Sequence, residues 1–155
     1  AIFSAADPEA PAWVWGSDKH TRFWSRRMVF ETAIHRVDAE IALGVEPAVD
    51  PALSIDGIDE FLDNLPFASY FAPRVDLLRG TGERLRFVAT DAGVEWTLTF
   101  SPEALEWDHS NDGDAHATVS GTASDLLLYV YGRSDRVAQS GDEAVLTLWR
   151  ENSAI

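Results

Sequence analysis

The hydrophobic period changes along this chain, and that change limits the folds open to it. Between residues 18 and 65 apolar side chains recur every three or four positions. Phe30, Ile34, Val37 and Ile41 draw one stripe, and Ile55, Ile58, Phe61, Leu62 and Leu65 draw a second. Both have the helical period. From Arg84 onward the period drops to two. Trp96, Leu98 and Phe100 alternate with Glu95, Thr97 and Thr99, as a half-buried strand requires.

The boundaries follow from local chemistry. Residues 1–16, with Pro8, Pro11 and Gly16, read as an extended lead-in, and Trp13 and Trp15 read as exposed. Ser17 or Asp18 is placed to cap a long helix that runs to Leu43, where Gly44 and Pro47 stop it. Asp50 with Pro51, or Ser54, opens a shorter helix that ends before Pro66. Pro73, Gly80 and Gly82 mark 67–83 as a linker with one helical turn at most. Four strands follow, over 84–90, 95–100, 104–108 and 116–121, with a turn at Ala92-Gly93. A helix over 125–131, capped by Thr122 or Ser124, is apolar on nearly every side, so it belongs in a core. A short edge strand at 137–139 and a helix opened by Asp142 complete the chain. The expected class is α+β, with a mainly antiparallel sheet and packed helices. The expected domains are 1–66, the linker 67–83, and 84–155.

Charge and composition exclude several roles. The net charge of -14 repels nucleic-acid phosphates and anionic lipid. No apolar run approaches the ~20 residues of a bilayer span, and no signal peptide precedes the first helix, so the expected location is the cytoplasm. The chain has no cysteine, so any thiol in its chemistry has to come from a small molecule. It opens at Ala1 rather than Met, as a piece of a longer protein would.

Chemistry concentrates on the long helix. Arg27, Glu31, His35 and Asp38 are spaced by four, four and three, so they share one face. Glu31 and His35 can converge on one ion, and zinc accepts such oxygen and nitrogen donors at about 2 Å. Asp38 can orient the imidazole from behind. Arg27 can hold an anionic substrate or pair with Glu31. Spacing alone describes a solvated, salt-bridged helix face better than it does a metal site. His20 lies too far along the helix to join the pair, roughly 16 Å at 1.5 Å per residue. His109 and His116 sit near strand ends, where a structural role is the simpler reading. Arg133, after Gly132, is a candidate anion contact or a helix-end cap.

The run Phe23-Trp24-Ser25-Arg26-Arg27-Met28-Val29-Phe30-Glu31-Thr32-Ala33-Ile34-His35-Arg36-Val37-Asp38-Ala39-Glu40 resembles the last bundle helix of the mycothiol-dependent maleylpyruvate isomerase family. Asp56-Gly57-Ile58-Asp59-Glu60-Phe61-Leu62 resembles the next helix of that family. Thr90-Asp91 through Trp96, Val119-Ser120-Gly121-Thr122-Ala123-Ser124-Asp125-Leu126, Gly132-Arg133 and Gly141-Asp142 resemble its C-terminal domain. The resemblance implies part of a DinB-like four-helix bundle, here one long helix, followed by a domain like a sterol carrier protein. It implies that Glu31 and His35 bind a divalent metal, usually zinc, with a third ligand, a His, from an earlier bundle helix outside this sequence. Upstream bundle helices or a second chain are then expected to cover the apolar stripe of the long helix.

The resemblance further implies mycothiol as the thiol and a small anionic substrate. The reaction would be a thiol addition or a cis–trans isomerisation. One position departs from the pattern: the family often has His just before the metal-binding Glu, and Phe30 stands there in this chain. Fold does not fix substrate. A second reading is therefore a non-catalytic module with a decayed or incomplete metal site, holding a small ligand or partner on faces that carry Phe87, Trp96, Trp107 and Trp149.

Overall fold

The computed structural model describes residues 6–155 and resolves into two units, one ending at Ala48 and one spanning Val49–Ile155. The first five residues of the lead-in read over 1–16 lie outside the described residues.

In the first unit, residues 10–21 form a tight loop. Pro11 and His20 face each other in an isolated antiparallel bridge. The Ala12 N–H donates to Lys19 O at 2.9 Å and the Thr21 N–H to Ala10 O at 3.0 Å. Lys19 Nζ fills the loop, donating to the carbonyls of Val14 at 3.2 Å and Gly16 at 2.7 Å. Trp13 is exposed as expected and stacks on Trp24, with ring centroids 6.3 Å apart.

Helix α1 spans Arg22–Ala42. It starts later than the expected cap at Ser17 or Asp18. The Asp18 carboxylate is engaged instead by His20 and Arg22, each at 2.5 Å, and Thr21 occupies the cap position. The C-terminal stop is at Gly44, as expected. Its φ of 71° is a left-handed conformation that favours glycine. The Val45 N–H closes the end by donating to Glu40 O at 2.9 Å. Of the apolar stripe, Phe30, Ile34 and Val37 are buried and Ile41 is exposed.

The second unit opens with α2, Pro51–Asn64. Asp50 Oδ1 accepts from the N–H groups of Ala52 and Leu53 at 3.0 and 3.1 Å, and Pro51 sits where no helical donor is needed. Two 3-10 turns follow, Leu65–Tyr70 and Pro73–Leu77. Leu65, Ala68, Ala72, Val75 and Leu78 are buried, and Arg74 Nε donates to Glu151 O at 2.7 Å. The region read as a linker is thus packed structure, and the division falls ahead of α2 rather than at residue 66.

A five-stranded sheet follows, made of β1 (Glu83–Ala89), β2 (Val94–Phe100), β3 (Leu105–Asp108), β4 (Ala117–Gly121) and β5 (Ala138–Gly141). Its order is β3-β2-β1-β4-β5. Only β1 and β4 pair in parallel; every other neighbouring pair is antiparallel. Two helices complete the unit, α3 (Ala123–Val130) and α4 (Glu143–Asn152). Thr122 caps α3 by accepting from the Asp125 N–H at 3.1 Å, and Asp142 caps α4 by accepting from the Ala144 N–H at 2.8 Å.

One face of the sheet is buried. Leu85 and Phe87 of β1, Trp96, Leu98 and Phe100 of β2, and Ala117 and Val119 of β4 lie on it, and β1 and β4 pack against α3 and α4. Phe87 contacts Trp149 edge-on at 5.2 Å, a geometry that aromatic pairs prefer. Phe87, Trp96 and Trp149 are core residues, at most 1% exposed. Of the four aromatic residues considered above for ligand binding, these three are therefore core, and Trp107 is half-buried.

Asp59 links α2 to the sheet. The Trp96 Nε1–H donates to Asp59 Oδ1 at 2.6 Å, and His109 Nε2 lies 3.2 Å from the same oxygen. Trp96→Phe removes a donor to a carboxylate and part of the volume of a fully buried indole. It should cost about 1.5–3 kcal/mol, read as a lower urea midpoint at unchanged m-value.

The Tyr129 hydroxyl is buried with no hydrogen-bond partner among the described residues, and burial pushes its pKa up. Removing it deletes an unmet polar group. Tyr129→Phe should therefore leave stability unchanged or raise it, and a fall of Tm by several degrees would contradict this.

The Glu83 carboxylate accepts from the Thr81 N–H at 2.5 Å and from its hydroxyl at 2.9 Å, which holds its pKa below the ordinary 4.5. A carboxyl depressed in the folded state adds stability above its unfolded pKa and loses it as pH falls through the folded one. Glu83→Gln should remove that share of the acid-side fall in Tm and leave the neutral-to-alkaline profile unchanged in shape.

Candidate metal-binding face of the long helix

Helix α1 delivers the expected four side chains to one face. Glu31 Oε2 and His35 Nε2 are 3.6 Å apart. The other ring nitrogen, Nδ1, lies 3.4 Å from Asp38 Oδ2. Glu31 Oε1 lies 3.1 Å from Arg27 Nε. That last contact is an ion pair rather than an aligned hydrogen bond.

The two ends of this row differ in environment. Side-chain exposure is 72% for His35, 45% for Glu31 and 38% for Asp38, but 5% for Arg27. The carboxylate and the imidazole face solvent, and the guanidinium lies beneath them. Beside this row, Ser25, Met28, Val29 and Thr32 line an open groove of about 430 Å³. Met28 precedes Glu31, and Thr32 precedes His35, by three positions, so the groove flanks the pair.

The pair passes a simple test of fit to a metal. Two ligands each about 2 Å from one ion stand roughly 3–4 Å apart. The observed 3.6 Å lies in that range, and the second ring nitrogen of His35 has the carboxylate neighbour that orients metal-binding imidazoles. Among the described residues, no group of three or more His, Cys, Asp and Glu side chains is placed to hold an ion. The residues therefore fit two positions of a coordination shell.

The other histidines have structural partners. His20 Nδ1 meets Asp18, His109 Nδ1 meets Glu95 O at 2.9 Å, and the Arg84 N–H donates to His116 Nδ1 at 3.0 Å. Arg133 Nη1 donates to Tyr131 O at 2.7 Å, beside Gly132 with φ 67°, which is the helix-end role considered for it. The Asp59–Trp96–His109 cluster was not visible in the sequence, because its members lie up to 50 residues apart and share no periodic pattern. Among the described residues no helix is long and apolar enough to cross a membrane.

Comparison with known proteins adds the family. A family model described as the MDMPI C-terminal domain matches residues 52–148, and one described as the mycothiol maleylpyruvate isomerase N-terminal domain matches residues 1–40. No curated protein matches the chain.

Among solved structures, a UbiJ-SCP2 ubiquinone synthesis protein is 21% identical with TM-score 0.47, over 66% of this chain and 94% of that one. A double mutant of the sec-alkyl sulfatase PisA1 is 22% identical with TM-score 0.50, over 63% of this chain and 16% of that one. The sec-alkylsulfatase Pisa1 from Pseudomonas sp. is 15% identical with TM-score 0.44, over 86% of this chain and 30% of that one. At these identities the likeness concerns fold alone. The C-terminal domain model alone spans more than half of the chain, and the N-terminal model covers the helix that carries Glu31 and His35: the chain belongs to the mycothiol maleylpyruvate isomerase family.

Proposed function

We propose that this chain is a mycothiol-dependent metalloenzyme of the maleylpyruvate isomerase type, acting on a small anionic substrate by thiol addition or cis–trans isomerisation. The observation that carries this reading is the 3.6 Å approach of Glu31 Oε2 to His35 Nε2 on the segment that matches the family's N-terminal domain. The family's name supplies the thiol and the substrate class. The absence of cysteine from the chain is consistent with a borrowed thiol.

Glu31 and His35 are the residues that would hold the metal, and Asp38 would fix the imidazole ring. When bound, a divalent metal such as zinc supplies Lewis-acid activation, favouring thiolate at neutral pH. The remaining ligand, a His on the family pattern, would come from outside this pair.

The organic steps balance without any redox partner. The thiolate sulfur bonds to one alkene carbon, and the π electrons move onto the conjugated carbonyl. The former double bond is now single and rotates. Collapse of the enolate expels the thiolate and restores the double bond in the other geometry. The chain's overall charge opposes an anionic substrate, so a local cation has to receive the carboxylate.

The second reading, a non-catalytic module with an incomplete metal site, is favoured by one observation: no third donor joins the pair among the described residues. Zinc analysis of the purified full-length protein separates the two. The enzyme reading expects near-stoichiometric zinc, lost in Glu31→Gln and in His35→Ala. It also expects isomerisation of maleylpyruvate that requires mycothiol and stops on chelation. Metal-free protein that gains no activity with added zinc and mycothiol would leave only the binding module.

A further inference from the structure

Glu31 is shared unequally between two neighbours. Its Oε1 faces the Arg27 guanidinium at 3.1 Å and its Oε2 faces His35 at 3.6 Å. A free glutamate on a helix surface has two equivalent oxygens and several accessible rotamers. Here one oxygen is engaged by a buried cation and the other is turned outward. The cation is buried, 5% exposed against 45% for Glu31, so it lies beneath the exposed pair with its charge beside Oε1.

From this geometry we infer that Arg27 is a positioning residue. It holds Oε1 so that Glu31 presents a single oxygen, Oε2, alongside His35 Nε2 for one-oxygen ligation of a divalent metal. This assignment rests on the metal reading of the pair, and it moves Arg27 from a substrate-binding role to a role acting through Glu31. A cation at this place also offsets part of the acidic charge around the ligand.

Zinc affinity of the full chain, measured by competition with a chromophoric chelator, tests the inference. Arg27→Met, close in length but uncharged, should weaken Zn²⁺ binding about 10- to 100-fold, the usual cost of losing a group that orients a ligand. Arg27→Lys keeps a cation beside Oε1 and should recover most of that loss. In Co²⁺-loaded protein, Arg27→Met frees the second oxygen, so the visible d–d bands should change intensity, whereas Arg27→Lys should keep the wild-type spectrum.

Folding of the variants is checked by circular dichroism, and one measurement needs no variant. The Arg27 Nε–H resonance of the wild-type chain should shift in proportion to added Zn²⁺ until one equivalent is bound. Wild-type affinity in Arg27→Met, equal weakness in the Lys and Met variants, or an Arg27 resonance that stays fixed while zinc binds would each overturn the assignment. If Glu31→Gln and His35→Ala bind zinc as the wild type does, the metal reading itself falls and takes the Arg27 assignment with it. If those two lose zinc while Arg27→Met keeps it, only the Arg27 assignment falls.

Discussion

Beyond its first turn, helix α3 has no side to give to water. Leu126, Leu127 and Leu128 are fully buried, and Tyr129 and Val130 nearly so. A helix of this composition has to be enclosed on every side. The remainder of residues 49–155 supplies the enclosure: α3 packs on β1 and β4 and against α2. The caps that bound these helices, Asp50, Thr122 and Asp142, settle where each one starts. The sheet then needs only one apolar face, which is why its strands alternate rather than running apolar throughout.

Elements governed by local chemistry were legible in the sequence. Asp50-Pro51, Gly44, Thr122 and Asp142 act within a few residues of themselves, and their elements lie where the pattern put them. The alternating strands were equally plain. Interactions across distance were not. Asp18 has the chemistry of a cap, but a nearby arginine and histidine engage its carboxylate, so α1 starts later. Residues 67–83 contain the prolines and glycines of a linker. Their buried Ala68, Ala72, Val75 and Leu78 repeat at intervals of three or four, a faint helical signal that the breakers obscured.

The candidate site divides in the same way. Helical spacing alone brought Glu31, His35 and Asp38 together, because residues one turn apart are neighbours whatever the tertiary structure. Spacing could not tell which of the four side chains would be covered. Arg27 is on the same face in projection, yet it alone is buried, and that difference assigns it to Glu31 rather than to solvent. The burial of Phe87, Trp96 and Trp149 was likewise invisible to an alternation pattern, which marks an apolar face without saying whether core or ligand fills it.

The parallel pairing of β1 with β4 also shapes how the chain reaches this structure. The β1–β2 hairpin closes through a short turn, whereas Leu85 finds Ala117 only after β2, β3 and the polar segment beyond them have been looped out. Closing so long a loop is entropically expensive before any contact rewards it. The hairpin can therefore form early and locally, while the centre of the sheet waits for a late, cooperative zipping step. Until then the apolar edges of β1 and of α3 are open to neighbouring chains, and crowding during synthesis bears most heavily on that interval.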